Sequence, residues 1–166
     1  MELYILRHAI AVERGTPGYR DSDRPLTPEG EKKMVQAAHG MKALGLSFDL
    51  ILTSPYQRAR HTAEIVATVF DAQDKLITTT ALTPAGDPAE LVAELSRHGK
   101  SADSILLVGH EPYLSSFIST LLVGDERLQL TMKKGGLCKL TVNSLRHGRC
   151  ATLQWLLTPR QLRMLG

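Results

Sequence analysis

The stretch LYILRHA, residues 3–9, joins a short continuous apolar run to an Arg-His pair. An apolar run without polar alternation reads as a strand buried on both faces, the mark of a parallel sheet covered by helices. Such a strand delivers the residues after it to the carboxyl edge of the sheet, where open α/β folds bind ligands. Arg7 and His8 are therefore candidates for chemistry. A second Arg-His pair lies in SLRHGR, residues 144–149, and its surroundings differ.

Working outward, the chain holds three more apolar runs: DLILT (49–53), KLITT (75–79) and SILLV (104–108). Between and after them a polar residue repeatedly precedes a proline: Thr27-Pro28, Ser54-Pro55, Asp87-Pro88, Glu111-Pro112 and Thr158-Pro159. Proline at the first helical position sacrifices no hydrogen bond, so these pairs mark helix starts. The spacing predicts helices over approximately 28–44, 55–71, 88–98, 112–123 and 159–165, with capping-box spacing at Ser54/Gln57 and Asp87/Glu90. After residue 135 the pattern changes. Cys138, Leu140 and Val142 alternate with polar residues in LCKLTVN (137–143), as do Ala151, Leu153, Trp155 and Leu157 in ATLQWLL (151–157). Two alternating strands around SLRHGR predict a hairpin, with Arg146-His147-Gly148 at its tip and Gly148 supplying a positive φ. The expected fold class is α/β: one three-layer α/β/α domain over residues 1–166, its mostly parallel sheet ending in a C-terminal antiparallel hairpin.

Length and composition agree. A chain of 166 residues, 43% hydrophobic and 22% charged, can bury about 70% of the surface its unfolded form exposes. No apolar stretch approaches the ~20 residues of a membrane span, and the N-terminus has no basic leader or small-residue cleavage site. A cytoplasmic monomer with no membrane contact is expected. Cys138 and Cys150 are too few for a zinc set or a disulfide scaffold and are expected to be free thiols. The net charge of +3 is unevenly spread: residues 127–166 carry eight Lys or Arg and no Asp or Glu, leaving −5 on the remainder. That excess reads as a solvated face. A single aromatic there, Trp155, offers no stacking platform for nucleic acid.

If His8 marks a site, polar groups belong at the ends of neighbouring strands. TSPYQRA (53–59) brings Ser54 and Arg58, and VGHEP (108–112) brings His110. Each strand-to-helix junction offers free N–H groups and a positive dipole end, which suit a dianionic phosphate. No HExxH, phosphate-binding Walker loop, GxSxG elbow or carboxylate cluster competes. His39, His61 and His98 fall within predicted helices as surface or packing residues, and Lys133-Lys134 reads as a solvated turn.

On LRHA (6–9), RPLTPEG (24–30), SPYQRARHTA (54–63) and VGHEP, in that order and spacing, the chain resembles the histidine phosphatase superfamily, the phosphoglycerate-mutase-like proteins. Its short length, RPLTPEG and LTPAGDP (82–88) are most similar to the small phosphohistidine phosphatase branch, the SixA type. One departure is Arg7-His8-Ala9 where the family has Arg-His-Gly. The resemblance implies a metal-independent phosphatase with no cofactor, in which His8 attacks phosphorus and Arg7, Arg58 and His110 surround the phosphoryl oxygens. Arg24 would be a fifth, substrate-binding member; its alternative is an exposed loop arginine before Pro25. The implied substrate is phosphohistidine on a phosphotransfer protein of a histidine-to-aspartate relay. A small-metabolite phosphomonoesterase is the alternative enzyme, and a phosphate- or phosphoprotein-binding module without turnover is the alternative from another class.

Overall fold

A computed structural model describes residues 1–166. Six strands form one sheet: β1 (Glu2–Arg7), β2 (Leu50–Thr53), β3 (Leu76–Thr78), β4 (Ser104–Gly109), β5 (Leu137–Val142) and β6 (Ala151–Leu157), in the order β3-β2-β4-β1-β5-β6. The first four are parallel, and β5 and β6 extend the sheet antiparallel beside β1. The expected three-layer α/β/α architecture is what forms.

Burial alternates along the strands and assigns the helices to faces. Leu3, Ile5, Leu52, Ile105 and Leu107 point to one core with α3 (Pro88–His98) and α4 (Tyr113–Val123). Tyr4, Leu6, Ile51, Leu106 and Val108 point to the other, beneath α1 (Pro28–Ala43), α2 (Gln57–Val69) and α5 (Pro159–Arg163). Each fully buried Leu or Ile contributes roughly 1.5–3 kcal/mol, so both faces of the central strands stabilise the sheet. No helix is long and apolar enough to cross a membrane.

Three local expectations are corrected. Helix α2 begins at Gln57 with Tyr56 as its cap, and Ser54 forms no capping box; the Ser54 hydroxyl accepts from Tyr56 N and pairs with His110 instead. Pro112 caps α4 from outside, so that helix starts one residue late, and Glu111 Oε1 accepts Ser115 N–H at 2.8 Å. In β6 the apolar alternation does not keep one face. A bulge between Lys139 and Leu140 leaves Gln154 without a partner on β5, so Ala151 packs on the first core while Trp155 and Leu157 pack on the second. Leu153 is 46% exposed. The reading of β5 stands: Cys138, Leu140 and Val142 share the first core with Ile5 and Leu3. Both cysteines are free, and burial pushes the Cys138 thiol up to about 12.

Candidate active site

Strand order explains the convergence. Because β4 lies between β1 and β2, His110 leaves the sheet between His8 and Ser54. His8 N donates to Gly109 O at 3.0 Å and Ser54 N to Val108 O at 3.1 Å. The His8 and His110 rings stand 5.3 Å apart between centroids.

His8 is held by its neighbours. Its Nδ1 lies 2.7 Å from the Ala9 carbonyl, an acceptor only, so Nδ1 carries the proton and Nε2 keeps a free lone pair. Ala9 N donates to Thr62 Oγ1, which in turn donates to Arg58 O, tying the loop after His8 to α2. Gly135, at φ +79°, donates its N–H to the carbonyls of both Arg7 and His8. From the other side Gly30, near the start of α1, abuts the loop so closely that a Cβ would collide with the Ile10 carbonyl. That contact explains the glycine of RPLTPEG. In the same motif Thr27 caps α1 by accepting Gly30 N–H and Pro28 opens it.

Arg7, Arg58 and His110 share a second property. Arg7 Nη1 donates to Met132 O at 2.8 Å and Arg58 Nη1 to Asp21 O at 2.6 Å, yet Arg7 Nε, Arg58 Nε and His110 Nδ1 are buried without a protein partner. A buried polar group left unpaired costs about 1–3 kcal/mol. A multiply charged oxyanion bound among these groups would supply the acceptors.

Arg24 is not the exposed loop arginine that its sequence context allowed. Its side chain is only 12% exposed; it donates to Val12 O and pairs with Asp21 Oδ1 at 3.0 Å. Asp21 is the residue that sequence reading missed. It lies on a short 3-10 turn (Asp21–Asp23) and receives Arg14, Arg24 and Arg58. Burial raises the Asp21 carboxyl, but Arg14, Arg58 and Arg24 outweigh it and the net displacement is downward. His147 is exposed on the β5–β6 loop, as expected of the second Arg-His copy. Gly148 has φ +158°, the positive φ expected of the glycine in that turn. His39, His61 and His98 also lie outside the cluster, on helices at the surface.

Burial dominates the electrostatics of both clustered histidines. His8 is lowered to about 3, chiefly by desolvation; the Ala9 hydrogen bond opposes this, and His110, Arg58 and Arg7 add to it. His110 is lowered to about 3 by desolvation and then by Arg58, with Asp21 opposing. Both are neutral near pH 7. The unfolded chain takes up these protons near pH 6.5 and the folded protein only near 3, so stability is complete above 6.5 and falls as the pH drops toward 3. With two groups, denaturation midpoints at pH 7.5 and 5.5 should differ by roughly 2–3 kcal/mol of stability. A flat profile between those values would show that neither imidazole is desolvated.

Residues 3–83, which carry His8, Arg24 and Arg58, match the model of the histidine phosphatase superfamily (branch 1). The structure of the protein histidine phosphatase SixA complexed with tungstate superposes with a TM-score of 0.83 at 26% identity, covering 98% of this chain and 99% of that one. The chain belongs to the histidine phosphatase superfamily. It is a phosphatase of the SixA-type branch: phosphohistidine phosphatase SixA of Escherichia coli K12 is 26% identical over 165 residues, 99% of this chain and 98% of that protein. An uncharacterized protein of Picosynechococcus sp. is 37% identical over 147 residues, 88% of each chain. Phosphoserine phosphatase of Entamoeba histolytica, at 19% identity and a TM-score of 0.70 over 97% of this chain and 98% of that one, shares the fold.

Proposed function

We propose that this phosphatase removes phosphate from phosphohistidine on a protein, through a covalent phosphohistidine at His8. The Nε2 lone pair attacks phosphorus while the bond to the substrate imidazole breaks, its electron pair leaving with a ring whose other nitrogen is protonated. Water then attacks the His8 adduct, releases phosphate and restores the free imidazole. Arg7 and Arg58 neutralise charge on the equatorial oxygens in both steps and neutral His110 donates a hydrogen bond to them, with Arg24 bracing Asp21 and completing the cationic rim. The Ser54 hydroxyl, already accepting from Tyr56 N, can donate to His110 Nε2, which leaves Nδ1–H as the donor toward phosphate.

The observation that carries the substrate class is the fate of the nearby carboxylates. An alkyl ester needs an acid to protonate the departing alkoxide, worth about 10²- to 10⁴-fold. Asp21 is held below its ordinary range by three arginines, Glu111 caps α4, Asp87 is an exposed cap on α3, and Glu94 accepts Thr79 Oγ1 at 2.6 Å. None is poised to donate. A phosphohistidine N–P bond does not need that donor. Accordingly, kcat/KM for a phosphorylated histidine phosphotransfer domain should exceed that for phosphoserine or a sugar phosphate by about 10²-fold or more, and Glu111→Gln should leave N–P cleavage near wild type. Faster hydrolysis of the small esters would favour the small-metabolite phosphomonoesterase, and no turnover of either would leave an anion-binding module.

A further inference from the structure

Half of the basic C-terminal excess is gathered in one place. Lys133, Lys134, Arg160 and Arg163, four of its eight cations, come together with Lys33 of α1 around a cleft of about 580 Å³ that no acidic side chain lines. Ala9 and Ile10, the residues after His8, form part of its wall. We propose that this cleft docks an acidic surface of the phosphorylated protein substrate, an inference that rests on the phosphohistidine-protein reading above.

The cleft is attached to the nucleophile. Its 132–136 loop is fixed by Arg7 Nη1 to Met132 O and by Gly135 N to the carbonyls of Arg7 and His8, at 2.8, 3.0 and 3.1 Å. The α5 wall is fixed by a capping box at Thr158 and Gln161 and by Leu162, whose backbone lies against Gly40 with no room for a Cβ. Lys133, Lys134 and Arg160 are exposed and have no ion-pair partner in the protein. Lys33 is the exception, paired with Glu29 one turn earlier on α1.

These donors suit an extended partner more than a small ion. A free phosphate is held by buried, converging groups such as those around His8, whereas flexible exposed cations attract an extended field of carboxylates and raise the encounter rate by about 10- to 10³-fold. Met164, 76% exposed on the same wall, offers an adaptable apolar contact beside the charges. A protein bearing its phosphohistidine among acidic side chains would meet both at once, while free phosphohistidine would meet neither.

The test compares one N–P bond in two contexts. Wild type, Lys134→Glu/Arg160→Glu and the charge-keeping Lys134→Arg/Arg160→Lys would be assayed on a phosphorylated, acidic phosphotransfer domain and on free phosphohistidine, at low and high salt. Charge reversal should lower kcat/KM for the domain by about tenfold or more, through KM, and flatten its salt dependence. Free phosphohistidine should be cleaved within about twofold of wild type, and the charge-keeping variant should match wild type on both substrates. Unchanged turnover of the domain, or equal losses on both substrates, would overturn the docking surface and leave the catalytic reading intact. If wild type cleaves free phosphohistidine but never the domain, the protein-substrate reading fails and the docking surface falls with it.

Discussion

His8→Ala is expected to lose roughly four to six orders of magnitude in turnover, the scale seen when a covalent nucleophile is removed. What remains would be electrostatic catalysis of direct attack by water, since Arg7, Arg58 and His110 keep their places. The fold should survive with a modest loss of stability. His8 is 6% exposed and its side chain makes one hydrogen bond, to the adjacent Ala9 carbonyl; its loss also removes one of the two imidazoles that resist protonation. His147→Ala, on an exposed loop, should remain near wild type. Brief incubation with labelled substrate and an acid-free quench should trap label on His8, in a bond stable to alkali and lost in acid. Equal losses in His8→Ala and His147→Ala, with unchanged circular dichroism, would refute the assignment of the nucleophile.

Arg58→Ala should cost about 10²- to 10³-fold in kcat, the range for removing one preorganised donor to developing charge. Arg58 is 3% exposed and is held through Nη1 by the Asp21 carbonyl, which leaves Nε without a partner in the protein. Arg58→Lys should recover little, because a single ammonium nitrogen cannot occupy both the Nη1 position at the Asp21 carbonyl and the separate Nε position that the guanidinium fork also fills. Removal of the guanidinium also leaves the Asp21 carboxylate nearer the site with one counter-charge fewer. Asp21→Asn added to Arg58→Ala should therefore restore part of the loss in phosphate affinity. A double variant no better than Arg58→Ala would show that Asp21 only positions the arginine.

The difference between Arg58 and Asp21 also shows what can be read from sequence. Arg58 comes after a buried apolar strand and opens a helix, and both signals are local. Asp21 sits in a segment of polar residues with no periodicity; its partners Arg14, Arg24 and Arg58 meet only after α2 is placed beside the 3-10 turn. Ser54 is legible as a strand-end residue, but Ser-Pro favours a helix-cap reading, and the competing partner, His110, is 56 residues away. Strand order is likewise absent from local pattern. The apolar runs predict four buried strands and their helices, but only the sheet shows that β4 lies between β1 and β2 and brings three strand ends to one point. The bulge at Gln154 is only faintly signalled, by Leu156, an apolar residue that interrupts the alternation of Ala151, Leu153, Trp155 and Leu157 and packs on the first core.

That bulge has a consequence for how the molecule behaves in crowded company. β6 is one border of the sheet, and an uninterrupted border strand with one apolar face is a template on which a neighbouring chain can add its own strand. The extra residue divides the apolar side chains of β6 between two faces and twists the border locally. At the opposite border β3 is only three residues long, too short to recruit a partner stably. The two ends of the sheet thus resist self-association by different means, one through kinked geometry and the other through brevity, while the parallel strands that present Arg7, His8, Arg58 and His110 stay in the protected interior.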